Sequence, residues 1–301
     1  MNTTRRNFLS RAALGTAALP FLTPPSATAA TKTKPLFQIS LAQWTLVKEL
    51  KAGRIDNLEF AEVASRHQIM ALEYVNQFFM DKAENRPYLK QMKQRASDAG
   101  VKSLLIMCDR EGRIGDPDAA KRKQTVENHR KWISAAKFLG CHSIRVNAGS
   151  SGTWDEQRDL AADGLAQLTV HGADAGINVI VENHGGLSSN GKWLASVIRQ
   201  VNHPRCGTLP DFGNFKIANG DTYDCYLGVK ELMPWAKGVS VKDHAWDDQG
   251  NAIKVDFVKM IEIVLETGFR GYCGIEFGGY AGLNDSRKAL ENARRALAVK
   301  F

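Results

Sequence analysis

Three acidic side chains stand where short apolar runs of this sequence end abruptly. Asn178-Val-Ile-Val-Glu182 runs into Asn183-His184-Gly185-Gly186, Gly207-Thr-Leu-Pro-Asp211 into Phe212-Gly213-Asn214, and Tyr272-Cys-Gly-Ile-Glu276 into Phe277-Gly278-Gly279. A carboxylate directly behind Val179-Ile180-Val181 is costly to bury unless it is paired or bound to a metal. If these runs are strands, side chains alternate, so Ile180, Glu182 and His184 share one face. Asp211 alone reads equally well as a turn residue, because Asp before Gly is common in turns. Gly274 and Gly278 flank Glu276 on its own face, which would open space beside the carboxylate for an ion or a substrate. Three acids brought to one place need a cation or shared protons, and a divalent metal is the natural solution.

A fourth run, Gly238-Val-Ser240-Val-Lys242-Asp243-His244, puts Ser240, Lys242 and His244 on one face. Lys242 beside the acids would offset their charge, and would hold a substrate oxygen or stabilise an anionic one. His244 is read as a fourth metal ligand, with loop anchoring and substrate positioning as competing roles. Arg145 and Asn147 point one way from a further run, as do Ala71 and Glu73 from another. Arg145, Asn147, Gln43, Trp44 and Trp246 are expected to shape the substrate pocket, and Arg145 also suits neutralising carboxylates.

Positioning these groups requires the runs to be strands of one sheet. Eight of them occur: Phe37 to Trp44, Ile69 to Val75, Lys102 to Cys108, His142 to Ala148, Asn178 to Asn183, Gly207 to Phe212, Gly238 to His244 and Tyr272 to Phe277. Between them lie stretches of helical periodicity: Asn57 to His67, Tyr88 to Ala99, Asp118 to Phe138, Glu156 to Ala175, Trp193 to Val201, Val255 to Thr267 and Ser286 to Val299. Strand and helix in alternation imply parallel strands joined by crossovers, and eight units favour a single α/β (β/α)8 barrel. After the first strand stands Gln43-Trp44-Thr45 rather than Gly-x-Gly-x-x-Gly, so a dinucleotide-binding sheet lacks its signature. In a barrel, chemistry belongs to the C-terminal ends of the strands, which is where the acids lie.

Residues 1–30 read differently. Thr4-Arg5-Arg6-Asn7-Phe8-Leu9, an apolar run from Ala12 to Leu22 and Ala27-Thr28-Ala29 form a twin-arginine export signal with a cleavage site. The run is too short and too broken by proline to span a membrane stably. The expected mature domain is 31–301, periplasmic or otherwise exported. With Arg5, Arg6 and Arg11 removed, 40 basic side chains fall to 37 against 32 acidic, too mild an excess to argue for nucleic acid. Five cysteines, an odd number without close pairs, argue against a disulfide framework and a structural zinc cluster. The sequence leaves a homo-oligomer open.

At Glu182-Asn-His184-Gly-Gly, Leu209-Pro-Asp211-Phe-Gly-Asn, Val241-Lys242-Asp243 and Gly274-Ile-Glu276 the chain resembles the xylose-isomerase-like barrel superfamily of sugar phosphate isomerases and epimerases. The resemblance covers essentially the whole mature chain. It implies one divalent metal held by Glu182, Asp211, a histidine near strand seven, here His244, and Glu276. The family usually has His-x-Lys-Asp on strand seven, where this chain has Ser240-Val-Lys242-Asp243. It further implies proton transfer next to a sugar carbonyl, with Glu182 and Glu276 as the carboxylates on opposite faces of the sugar. His184 and Lys242 would then bind hydroxyls or the anionic oxygen. The full pattern looks like an exported branch associated with 3-keto sugars, where elimination or hydration replaces isomerisation. A carboxylate-rich site suits Mn or Mg, and one histidine admits Co or Zn. The competing readings are a metal phosphodiesterase of the endonuclease IV type, which needs more histidines, and a non-catalytic sugar-binding barrel.

Overall fold

Eight parallel strands form where the apolar runs lie: β1 (Gln38–Ala42), β2 (Ala71–Val75), β3 (Lys102–Met107), β4 (Ser143–Val146), β5 (Asn178–Glu182), β6 (Cys206–Leu209), β7 (Val239–Val241) and, after a hairpin of β8 (His244–Trp246) and β9 (Ala252–Lys254), β10 (Tyr272–Ile275). The computed structural model describes residues 35–218, 220–246, 249 and 251–301. The export-signal reading lies outside the described residues.

The strands pair in the order β6-β5-β4-β3-β2-β1-β10-β7. Isolated parallel bridges, Thr208 to Ala236 and Asp211 to Ser240, span the remaining gap between β6 and β7. The Lys237 N–H donates to the Thr208 carbonyl at 3.0 Å and the Ser240 N–H to the Pro210 carbonyl at 2.9 Å. Pro210 has no N–H, so at this seam it only accepts. The result is the expected (β/α)8 barrel, nearly closed.

The helices between the strands are α1 (Val47–Lys51), α2 (Phe60–Arg66), α3 (Arg86–Asp98), α4 (Ala119–Leu139), α5 (Trp154–Ala175), α6 (Gly191–Val201), α7 (Cys225–Leu232), α8 (Phe257–Glu266) and α9 (Gly279–Leu297). Their starts follow from side chains that satisfy the free N–H groups of a first turn. Asp118 accepts from Ala120 and Lys121, Asn190 from Trp193, and Asp256 from Val258 and Lys259, while Thr153 and Glu156 form a reciprocal capping box.

Periodicity announces neither the five-residue α1 nor α7, which is eight residues long with Gly228 inside it. That glycine is dictated by packing, since a Cβ there would sit 2.1 Å from Cε1 of Phe215. Strand seven also departs from expectation. It ends at Val241 instead of His244, because the chain turns at Asp243 and folds back as β8 and β9, closed by Val255 N–H to the Asp243 carbonyl at 3.1 Å.

Apolar side chains fill two regions. The larger lies between strands and helices and includes Trp132, Trp193, Phe60 and Leu290. The smaller lies inside the barrel, where Ala42, Val75, Leu105, Met107, Ile180 and Leu209 pack together with Trp44 and Phe78 against them. Among the described residues no helix is long and apolar enough to cross a membrane.

Candidate active site

Glu182 closes β5, Asp211 follows β6 by two residues and Glu276 follows β10 by one, so all three reach the same end of the barrel. All three are buried, and one carboxylate oxygen from each lies within 4.8 Å of the others. Asp211 satisfies both sequence readings at once. Its Oδ1 accepts from the backbone N–H groups of Gly213 and Asn214 at 2.8 and 2.7 Å, as a turn residue does, while Oδ2 faces the other acids. Asn183 fixes the β6 end against β5, accepting from the Asp211 N–H at 2.7 Å and donating to the Asp211 carbonyl at 3.0 Å. Asn214 donates to Glu182 Oε1 at 3.0 Å.

Strand β7 supplies the counter-charge. Lys242 Nζ lies 2.7 Å from Asp211 Oδ2, 3.1 Å from Glu276 Oε1 and 3.9 Å from Glu182 Oε1. Burial by itself would pull this ammonium down, but the charges of Asp211, Glu276 and Glu182 outweigh it and push it above its ordinary value. Ser240, the residue before Val241, donates to Asp211 Oδ2 at 2.8 Å and contacts Glu276 Oε2. Burial first, and then the charge of Glu276, push Glu182 up to about 8, against Arg145 and Lys242, which pull it down.

The opposite wall carries a second polar network. Arg145 is 3% exposed, and its Nη1 donates to Asp109 Oδ1 at 2.8 Å. Its Nε lies 2.8 Å from Glu182 Oε2, but the N–H is not aimed at that oxygen, and both atoms lack a hydrogen-bond partner. Asn147 and Gln77 donate to the same Asp109 carboxylate at 2.8 and 3.0 Å. Burial favours a protonated Asp109, yet Arg145, then Gln77 and Asn147, hold it well below the usual carboxylate range. Arg145 is therefore placed as an internal neutraliser. Deeper still, Ser40 donates to Glu73 Oε1 at 2.6 Å, and burial drives Glu73 up to about 8.

Several expected roles change. The space opened by Gly274 is filled by Glu73, whose carboxylate oxygens lie 2.4 and 2.5 Å from where a Cβ at position 274 would stand. Gln43 is fully buried, its amide donating to Asn57 and accepting from the Val75 N–H at 2.9 Å. It ties the end of β1 to β2. His244 does not join the acids, because it opens β8. Its Nδ1 lies 3.1 Å from Asp243 Oδ1 and its ring packs on Phe277 at 4.4 Å. Trp246, half-buried on the same hairpin, lies under Lys216, whose Nζ is 3.2 Å from the ring centroid. His184 is exposed at the mouth, and its ring has no hydrogen-bond partner among the described residues. Protein crowds it from below, so burial, and next the charge of Arg145, holds the imidazole below its ordinary value.

Asp109 is the residue that sequence reasoning missed. It directly follows the apolar run of β3, the same signal that exposed Glu182, Asp211 and Glu276. Ser240 was visible as a residue sharing a face with Lys242 and as a departure from the family pattern. A concave surface of about 350 Å3 lies between α4 and α5, lined by Arg130, Lys137, His171 and Asp174. Side-chain chemistry singles out the barrel mouth.

The residues present fit a divalent cation. Their donors are hard carboxylate oxygens, suited to Mg or Mn, and Glu182 Oε2 is a buried acceptor without a hydrogen-bond partner.

Comparison with solved structures agrees with the architecture. A xylose isomerase domain protein from Planctomyces limnophilus superposes with a TM-score of 0.71 at 18% identity, covering 88% of this chain and 99% of that one. The 3-keto-D-glucoside 4-epimerase of E. coli, in its apo form, gives 0.64 at 15% identity over 86% of this chain and 99% of its own. A xylose isomerase-like TIM barrel protein from Mycobacterium smegmatis in complex with magnesium gives 0.64 at 15% identity, covering 87% and 98%. These likenesses establish the fold. No curated protein matches the chain. Residues 61–298, which carry seven of the eight barrel strands and all three acids, match the xylose isomerase-like TIM barrel family, and the chain belongs to it.

Proposed function

We propose that this protein is a divalent-metal-dependent sugar epimerase or isomerase that moves a proton next to a sugar carbonyl. The observation that carries the reading is the group of three buried acids, with oxygens within 4.8 Å of one another, at the C-terminal end of the barrel strands. Glu182, Asp211 and Glu276 would hold the ion. Bound there, it would polarise a substrate carbonyl and stabilise the anion formed when the neighbouring carbon loses its proton.

The chain's own groups do the rest. Glu182, buried at the end of β5 beside the ion site, is the carboxylate that would take the proton from carbon and return it. Glu276 is the second carboxylate, with an oxygen within 4.8 Å of one of Glu182. Lys242 stabilises negative charge developing on a substrate oxygen. His184, exposed and unpartnered at the rim, binds a hydroxyl. Trp44 and Phe78, packed above the apolar cluster inside the barrel, offer a face to the sugar ring.

The likeness to a 3-keto-glucoside epimerase supports 3-keto-glycosides as the substrate class, with elimination or hydration as related outcomes of the same deprotonation. A histidine-rich phosphodiesterase site gains no support, since no histidine joins the acid group among the described residues. We further propose that the mature domain is exported by the twin-arginine route. An Arg5→Lys, Arg6→Lys chain retained in the cytoplasm would support this, and unaltered export would refute it.

The test of the reaction is proton exchange. Purified protein loaded with Mn is incubated with free and 3-keto glycosides in deuterated water and followed by NMR. Deuterium should enter next to the carbonyl, and Glu182→Gln and Glu276→Gln chains should lose it. Undiminished incorporation in both variants would sink the assignment.

A further inference from the structure

Three buried carboxylates in contact would repel one another, yet the described residues already place a positive charge among them. Lys242 Nζ lies 2.7 Å from Asp211 Oδ2 and 3.1 Å from Glu276 Oε1, and 3.9 Å from Glu182 Oε1. It therefore lies against the same three side chains that would ligate a cation. Ser240 adds a hydroxyl within reach of both Asp211 and Glu276, its one proton given to either, so each of these acids has Lys242 and Ser240 beside it at the end of β7. Glu182 differs, because its Oε2 is buried with no hydrogen-bond partner. The second basic group, Arg145, is shared between Asp109 and Glu182, 2.8 Å from each, and pairs with neither Asp211 nor Glu276 among the described residues.

We infer that Lys242 is a resident counter-ion of this site, which holds the acid cluster together without metal and which a divalent ion must displace in order to bind. The inference rests on the metal reading proposed above and adds to it how the ion is admitted. Two cations a few ångströms apart in a buried site repel strongly, more so than at the surface. A divalent ion and the ammonium therefore do not share these oxygens at full strength. Displacement is feasible because lysine carries its charge on a flexible four-carbon stem. Lys242 is also 8% exposed, more than any of the three acids, so it has a way out towards the mouth. Withdrawn there, the ammonium stands where a substrate oxygen would arrive. Metal loading and substrate recognition would thus be coupled through one side chain.

Three consequences separate this from a lysine that merely decorates a metal site. The metal-stripped protein remains folded. Metal binds more weakly than three clustered carboxylates alone would bind it. Removing the charge, and not merely changing the shape, tightens binding.

The experiment is a calorimetric titration of metal-stripped protein with MnCl2 on the wild type and on Lys242→Met, Lys242→Gln and Lys242→Arg, with circular dichroism as the control for folding. The two neutral variants should bind Mn at least tenfold more tightly than the wild type, and Lys242→Arg no more tightly. The stripped neutral variants should also melt below the stripped wild type and recover on adding Mn. Folded neutral variants that bind Mn with wild-type affinity or weaker overturn the inference and leave the metal reading standing. If both neutral variants unfold when stripped, the Mn concentration that refolds them reports affinity, and a requirement above the wild-type binding range overturns it equally. If no chain, wild type included, binds Mn, the metal reading falls and takes this inference with it.

Discussion

The two walls of the barrel mouth solve the same electrostatic problem in opposite ways. On the β5, β6, β7 and β10 side, Lys242 stands among three acids, and Glu182 Oε2, though 2.8 Å from Arg145 Nε, has no hydrogen bond. On the β2, β3 and β4 side, Asp109 is saturated by Arg145, Asn147 and Gln77. Under-compensated acids have capacity left for an incoming ion or proton, whereas a saturated carboxylate is a strut. Buried polar groups that are fully paired rigidify a structure, and those left partly paired are where chemistry is expected.

The largest effect should come from the under-compensated wall. Replacing Glu182 by Gln keeps its shape and its contact with Asn214 while removing a titrating group, so deuterium exchange should fall by about 10²–10⁴. The matching change on the other wall, Asp109→Asn, should cost far less exchange. Equal losses in the two variants would erase the distinction between the walls. The next effect belongs to Arg145, the group that joins them. Arg145→Met leaves Asp109 and Glu182 buried without their shared cation, and such one-sided removal costs about 3–5 kcal/mol. A urea midpoint unchanged from the wild type would show that the guanidinium is not what balances these carboxylates.

The acids of the under-compensated wall were legible in the sequence because alternation along a strand and a sudden change from apolar to acidic are local signals. Glu182 and Glu276 announce themselves within five residues of chain. The saturated wall was not legible for the same reason in reverse: Asp109 has the right position, but its meaning depends on Arg145, Asn147 and Gln77, which arrive from other strands. Gly274 shows the same limit, since the room it creates on β10 is claimed by Glu73 of β2. His244 failed as a ligand position because two-residue alternation presumes that the strand continues. The chain instead turns at Asp243 into a hairpin that closes on residues Ala252 to Lys254. The short α7, interrupted by Gly228, was missed because its register is set by contact with Phe215.

Glu73 sharpens the comparison below the mouth, being acidic like the upper acids yet neutralised by a proton. Its carboxyl is pushed up to about 8 in the fold by burial, from an ordinary value of 4.5. Between those values the folded chain keeps a proton that the unfolded chain releases. The contribution of this group to stability is therefore complete below 4.5 and is lost as pH rises towards 8. Glu73→Gln cannot ionise, so its stability should fall less steeply from pH 5 to 8, by a few kcal/mol at most across the window. Parallel pH profiles of the urea midpoint for the two chains would show that Glu73 is already ionised in the fold.

The smallest effect concerns the hairpin, which adjoins the under-compensated wall without entering it. Its attachments include Lys216 over Trp246 and His244 against Phe277, an ammonium on an indole face and a ring packed on a ring. An exposed ammonium over an indole contributes about 0.5–1 kcal/mol. Lys216→Met keeps the length of the stem and removes the charge, so it tests that term alone. The loss should be local, appearing as faster amide exchange across His244–Trp246 and Ala252–Lys254, by a few-fold, with exchange in β5 and β10 unchanged. Acceleration that spreads into β5 and β10 would mean that the hairpin braces the acid cluster, and the boundary between the hairpin and that wall would have to be redrawn.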